Sequence, residues 1–145
     1  MQITRYTDYS LRVLMYLAVQ GDRLATIREI AESYDISRNH LMKVVHQLNR
    51  KGYIETVRGK NGGLRLHLKP ADINLGVVMR ETEPDFELVE CFSSKNKCNI
   101  TPVCNLKHVI AEALQSFLNT LDQYTLEDLL PEKNRPQLMR ILQIV

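Results

Sequence analysis

Between Thr26 and Pro70 a helical hydrophobic period is interrupted once and then gives way to a period of two, and few folds accommodate that order. Thr26-Ile27-Arg28-Glu29 is a capping box, in which the Thr oxygen and the Glu carboxylate satisfy each other's backbone donors. It opens a short helix with Ile27, Ile30 and Ala31 on its apolar side. Tyr34-Asp35-Ile36 interrupts that helix, and Ser37 caps the next, where Leu41, Val44, Val45 and Leu48 recur at helical spacing. Gly52 stops this third helix behind Arg50 and Lys51, cations placed where the helix dipole favours them. The period then drops to two. Tyr53–Arg58 reads as a strand, and Leu64-Arg65-Leu66-His67-Leu68 alternates as a half-buried strand with Arg65 and His67 facing out. Gly59-Lys60-Asn61-Gly62-Gly63 between them supplies the positive φ angles of a hairpin turn.

Two short helices joined by a tight turn and followed by a hairpin form a winged helix-turn-helix. The chain is therefore expected to be mainly α with a small β-hairpin wing. Upstream, Leu11, Leu14, Leu17 and Ala18 mark an amphipathic helix from Thr7, as its cap, to about Gln20. Downstream, Asn74 to about Thr82 is a short helix that stops before Pro84. Thr101-Pro102 is a strong helix start, and the stripe from Val103 through Leu106, Val109, Ile110, Leu114, Phe117 and Leu118 to Leu121 follows it. That stripe is too wide for a helix lying free on a small domain, so it predicts packing against a second subunit. Residues 125–130 and 137–145 read as short helical pieces around Pro131 and Pro136. Two parts result: residues 1–70, a winged helix-turn-helix domain, and 71–145, which holds a cysteine-bearing loop, the dimerisation helix and a tail.

The 145 residues allow one ordinary domain or a domain with an appended element. No apolar run approaches the ~18 residues of a membrane span. Met1-Gln2-Ile3-Thr4-Arg5 lacks a signal-peptide profile, so a cytoplasmic protein is expected. Charge is divided unevenly. Residues 1–70 carry 12 Lys and Arg against 6 Asp and Glu, and residues 71–145 carry 7 against 11. A basic first half points to a polyanion.

The third helix says which one. Opposite its apolar stripe stand Arg38, Asn39, Lys43, His46, Gln47 and Arg50. Arg reads guanine and Asn reads adenine bidentately, and the first turn of a recognition helix lies nearest the bases. Arg38, Asn39 and His40 are thus the candidate base readers, while Lys43, Gln47 and Arg50 are candidate phosphate contacts. Arg58 and Lys60 flank Gly59 at the hairpin tip, suited to a minor groove or to phosphates. The partner expected is double-stranded DNA.

Cys91, Cys98 and Cys104 fall in one 14-residue stretch with spacing Cys-x6-Cys-x5-Cys. An odd count in a cytoplasmic chain argues for metal or redox chemistry over a disulfide framework. No closely paired cysteines of the usual zinc kind occur. Three widely spaced thiolates suit an iron–sulfur cluster with a fourth ligand from elsewhere, for which His108, four residues past Cys104, and Asp8 are both open. Zinc, or direct thiol oxidation, is the competing reading. A cysteine-nucleophile enzyme lacks a His or carboxylate partner by spacing.

Several stretches together resemble one family. Tyr6-Thr7-Asp8-Tyr9-Ser10-Leu11-Arg12, Ser37-Arg38-Asn39-His40-Leu41, Val57-Arg58-Gly59-Lys60-Asn61-Gly62-Gly63 and Cys98-Asn99-Ile100-Thr101-Pro102-Val103-Cys104 carry the likeness, and Gln115-Ser116-Phe117-Leu118 with Leu121-Asp122-Gln123-Tyr124 continues it. They resemble the NsrR family of bacterial nitric-oxide-sensing repressors, related to the iron–sulfur assembly regulator IscR. The resemblance implies a homodimeric repressor with one iron–sulfur cluster per subunit, either 4Fe-4S or 2Fe-2S. It implies Cys91, Cys98 and Cys104 as three ligands and Asp8 of the partner subunit as the fourth. IscR-like members use a histidine just after the third cysteine, which keeps His108 as the runner-up. Nitric oxide is the implied signal: nitrosylation of the cluster would release operator DNA.

Overall fold

The computed structural model describes all 145 residues. The elements are α1 (Arg5–Gln20), α2 (Ile27–Tyr34), α3 (Arg38–Arg50), β1 (Ile54–Val57), β2 (Gly63–Leu66), α4 (Leu75–Thr82), α5 (Asn105–Asp122) and α6 (Arg135–Ile141), with short 3-10 turns between the later ones.

The helix-turn-helix has the expected caps. Thr26 Oγ1 accepts from Glu29 N at 3.1 Å while Glu29 Oε2 accepts from Thr26 N at 2.9 Å. Asp35 ends α2 in the left-handed region at φ 52°, and Ser37 caps α3. Leu41, Val44, Val45 and Leu48 are all buried. The antiparallel hairpin pairs Ile54 with Leu66 and Thr56 with Leu64, and Gly59 turns its tip at φ 96°. Leu64 also exchanges backbone hydrogen bonds with Ala25, which pins the hairpin to the start of α2. β2 ends at Leu66 rather than Leu68: β1 begins at Ile54, only the His67 N–H reaches back to Tyr53 O, and Leu68 is left exposed.

Two other expectations need correction. Thr7 does not cap α1. Thr4 does, accepting from Thr7 N at 3.3 Å, and Thr7 is fully buried one turn inside. The buried face of α1 is also wider than its Leu stripe, taking in Val13, Tyr16 and Val19, because α3, α4, β2 and α6 pack around it. The long helix does not start at Thr101. Thr101–Val103 makes one 3-10 turn, Cys104 is extended, and α5 begins at Asn105. The Thr101 hydroxyl is engaged elsewhere: it donates to Cys98 O at 2.8 Å and accepts from Asn96 Nδ2 at 2.9 Å.

One hydrophobic cluster spans the chain, and it does not stop at residue 70. Ile73, Val78, Leu126, Leu142 and Ile144 pack with the buried residues of α1–α3. The tail is held by Arg135, which donates to Val19 O at the end of α1 (2.8 Å), and by Ser33 Oγ, which donates to Leu142 O (2.7 Å). In contrast, α5 is anchored through α4 and buries only Leu118, leaving Leu106 63% and Val109 60% exposed. No helix is long and apolar enough to cross a membrane.

Candidate nucleic-acid interface and thiol pocket

Burying the apolar stripe of α3 fixes what its other side offers. Arg38, Asn39, His40, Lys43, His46 and Arg50 are exposed and Gln47 is half-buried. Arg58 and Lys60 are exposed on the hairpin loop. None of Arg38, Lys43, Arg50, Arg58 and Lys60 is in a salt bridge, so their charge is free to meet an anion. The one carboxylate among them, Glu55, is spent on its own hairpin. Arg65 and His67 both bond it, and Arg65 above all holds its carboxyl below the usual range. Reading only polar residues misses Met42, which is 56% exposed on this side of α3. An apolar side chain there has the chemistry to meet a thymine methyl.

His40 is not free-standing. Its ring lies 6.1 Å, centroid to centroid, from that of Tyr9 on α1. The Arg12 guanidinium sits 5.7 Å from the Tyr9 ring and 5.9 Å from the Tyr34 ring. Arg12 holds Asp8 through Nη2–Oδ2 at 2.8 Å and Nε–Oδ1 at 3.2 Å. Asp8, Arg12, Tyr9 and His40 therefore form a contiguous path from the first turn of α1 to the first turn of α3. The Asp8–Arg12 spacing is legible in the sequence as an i, i+4 pair; the aromatic links are not. Tyr34 donates its hydroxyl to Arg12 O at 2.9 Å, and burial pushes its pKa up to about 12.

The three cysteines share one pocket without standing at coordinating positions. Cys91, Cys98 and Cys104 line one pocket of about 200 Å³ whose walls include Val89, Ile100 and Ile110. Cys91 lies in the 3-10 turn Glu90–Phe92 and Cys104 immediately precedes α5. Between them the loop is folded by its own side chains. Asn96 Oδ1 accepts from Cys98 N at 2.9 Å, and Asn96 Nδ2 bonds Thr101, which closes on Cys98 O. All three thiols are free, Cys98 exposed and the other two half-buried. Neither Asp8 nor His108 lines the pocket, and no three His, Cys, Asp or Glu side chains stand together at coordinating positions. His108 is exposed on α5, and since Cys104 lies before that helix the two do not share a helix face.

A family model described as Rrf2, iron-dependent transcriptional regulator, matches residues 3–132. The HTH-type transcriptional regulator NsrR of Bacillus subtilis (strain 168) is 54% identical over 146 aligned residues, 99% of either chain. Its namesake from Shouchella clausii (strain KSM-K16) is 49% identical over 145, covering 99% of this chain and 96% of that one. Among solved structures, oxidised Staphylococcus aureus CymR matches with a TM-score of 0.72 and 25% identity, covering 90% of this chain and 97% of its own. T. potens IscR has the same fold, with a TM-score of 0.74 and 24% identity over 94% of this chain and 91% of its own. The winged helix-turn-helix, the near-complete family match and the full-length similarity to named regulators agree: the chain belongs to the Rrf2 family of iron-dependent transcriptional regulators, and it is not an enzyme.

Proposed function

We propose that this chain is a homodimeric repressor that binds operator DNA in its iron–sulfur-loaded form and releases it when nitric oxide nitrosylates the cluster. The observation that carries the reading is the convergence of Cys91, Cys98 and Cys104 on one apolar pocket. Residues seven and six positions apart in a loop line it together, in a loop that Asn96 and Thr101 fold around Cys98. The donor set suits the group: three sulfur ligands and a mostly apolar lining, in which Glu90 is the one carboxylate. The cluster, when bound, supplies the centre that nitric oxide attacks.

The protein's part is coupling. In this reading residues 1–70 are the DNA-reading head, and residues 71–145 hold the cluster, the dimer contact and the tail. Arg38, Asn39 and His40 read bases, Met42 adds an apolar contact, and Lys43, Gln47, Arg50, Arg58 and Lys60 engage phosphates or a groove. Asp8 of the partner subunit is the fourth ligand. That role requires Asp8 to leave Arg12, and Arg12 touches Tyr9, whose ring neighbours His40. Occupancy of the pocket thereby biases the first turn of α3, a two-state element to which cluster and operator both couple. Apolar Leu106, Val109 and Phe117, exposed on α5, are the dimer contact.

Anaerobic purification tests the reading. A coloured protein with iron and sulfide in a ratio set by one cluster per subunit, shifting an operator duplex until nitric oxide is added, is expected. Cys98→Ala and Cys104→Ala should lose both the colour and the response. A colourless zinc protein, or one whose DNA binding follows thiol oxidation alone, would assign the pocket to zinc or thiol sensing instead.

A further inference from the structure

The first turns of the exposed helix α5 line the cysteine pocket, and its far end is held by α4. There Asp122, its last residue, is gripped from both ends of α4. Arg80 bonds it bidentately, with Nη2–Oδ2 at 2.9 Å, and Asn74, the cap residue of α4, donates Nδ2 to Asp122 O at 2.8 Å. The chain beyond continues the grip, with Leu75 N donating to Tyr124 O (3.0 Å) and Leu126 N to Ile73 O (2.8 Å). Gly76 lies directly beneath. A Cβ built on it would stand 1.7 Å from Asp122 Oδ1 and 2.9 Å from Arg80 Nη1, so the carboxylate occupies the space of the missing side chain.

Stability is a poor reason for this arrangement. Both side chains are more than a third exposed, and ion pairs at such sites contribute little. What a bidentate Arg–carboxylate pair does well is fix orientation. Its position also matters. α4 follows the head in the chain and is packed on it, since Leu75, Val78 and Met79 are buried and α4 packs on α1. The joint between α4 and α5 is therefore the joint between the DNA-reading head and the helix that carries the dimer contact.

We propose that Gly76, Arg80, Asp122 and Asn74 form a clasp that sets the angle of each head on the dimer, and so the half-site spacing the protein accepts. These are positioning residues and touch no DNA. The inference rests on the reading of the chain as a dimeric DNA-binding protein. Two heads on a stiff frame gain from binding together only when the spacing of their sites matches the frame.

The test uses the anaerobically purified protein and a duplex selected by it from a random-sequence library. Three forms of the duplex are compared: the selected site, the same site with one base pair inserted between half-sites, and a single half-site. Wild type should prefer the selected site over the inserted one by about tenfold or more. Gly76→Ala and Arg80→Gln should still dimerise and bind the single half-site as wild type does, yet lose most of that preference, whereas Arg80→Lys should fall between. If Gly76→Ala fails to fold, Arg80→Gln and Arg80→Lys carry the test alone. Folded variants with an unchanged spacing preference overturn the clasp and leave the dimeric reading standing. A wild type that binds single and paired half-sites alike overturns the dimeric reading and the clasp with it.

Discussion

Tyr34 illustrates how one side chain serves two neighbours. Its ring packs against the Tyr16 ring and faces the Arg12 guanidinium, while its hydroxyl donates to Arg12 O. Burial raises its pKa to about 12 from the ordinary 10.0. A raised folded pKa favours the protonated folded state, so the contribution is complete below about pH 10 and is lost as pH rises toward 12. Urea unfolding followed between pH 9 and 12 should show wild type losing stability more steeply than Tyr34→Phe. At pH 8 the substitution should cost about 1 kcal/mol for the hydrogen bond. Thr101 teaches a different lesson at the same scale. Thr-Pro is a strong helix start because a hydroxyl before a proline has orphan N–H groups to accept from. Here Cys98 O and Asn96 Nδ2 take that hydroxyl, and the helix waits for Asn105.

Among the elements, the proposed function divides the DNA contact between α3 and the hairpin. Arg38, exposed in the first turn of α3, should cost about 1–3 kcal/mol of operator affinity when replaced by Ala and relax sequence preference at its position. Lys60→Ala on the hairpin loop should weaken binding to every sequence and lower the salt slope by about one unit. Titrations of matched and mismatched duplexes at several salt concentrations separate the two, and equal behaviour would contradict the division. The elements themselves were largely legible, for a physical reason. Caps, stripes and turn glycines act within four residues, so Thr26–Glu29, Ser37, the Leu41–Leu48 stripe and the 59–63 turn speak for themselves. The full buried face of α1 does not, because Val13, Tyr16 and Val19 belong to a helix packed by elements as far as α6, more than a hundred residues away in the chain. The candidate site divides the same way. Local pattern pointed to the cysteines and the basic face of α3, but their shared pocket, the Tyr9–His40 contact and the Arg80–Asp122 grip are products of tertiary packing.

At the scale of the molecule, two kinds of apolar surface ask for different tests. Leu106 is 63% exposed, so Leu106→Glu should leave the subunit's own stability within about 0.5 kcal/mol while halving the mass seen by sedimentation. It should also abolish the preference for paired half-sites. Leu142 is 5% exposed within the common core, and Leu142→Ala should cost about 2–5 kcal/mol in chemical unfolding without changing mass. A Leu106 variant that stays dimeric would move the subunit contact away from α5.

The packing of the tail also imposes an order in time. Leu142 and Ile144 complete the core that the first helices begin, so that core stays open until synthesis has passed residue 144. At typical rates of about 5–20 residues per second, α1–α3 wait roughly 5–20 seconds on the ribosome for their last neighbours. The exposed face of α3 is thus finished late, when the cysteine loop is already made, and on the proposed function a nascent chain has time to take up its cluster before it meets an operator.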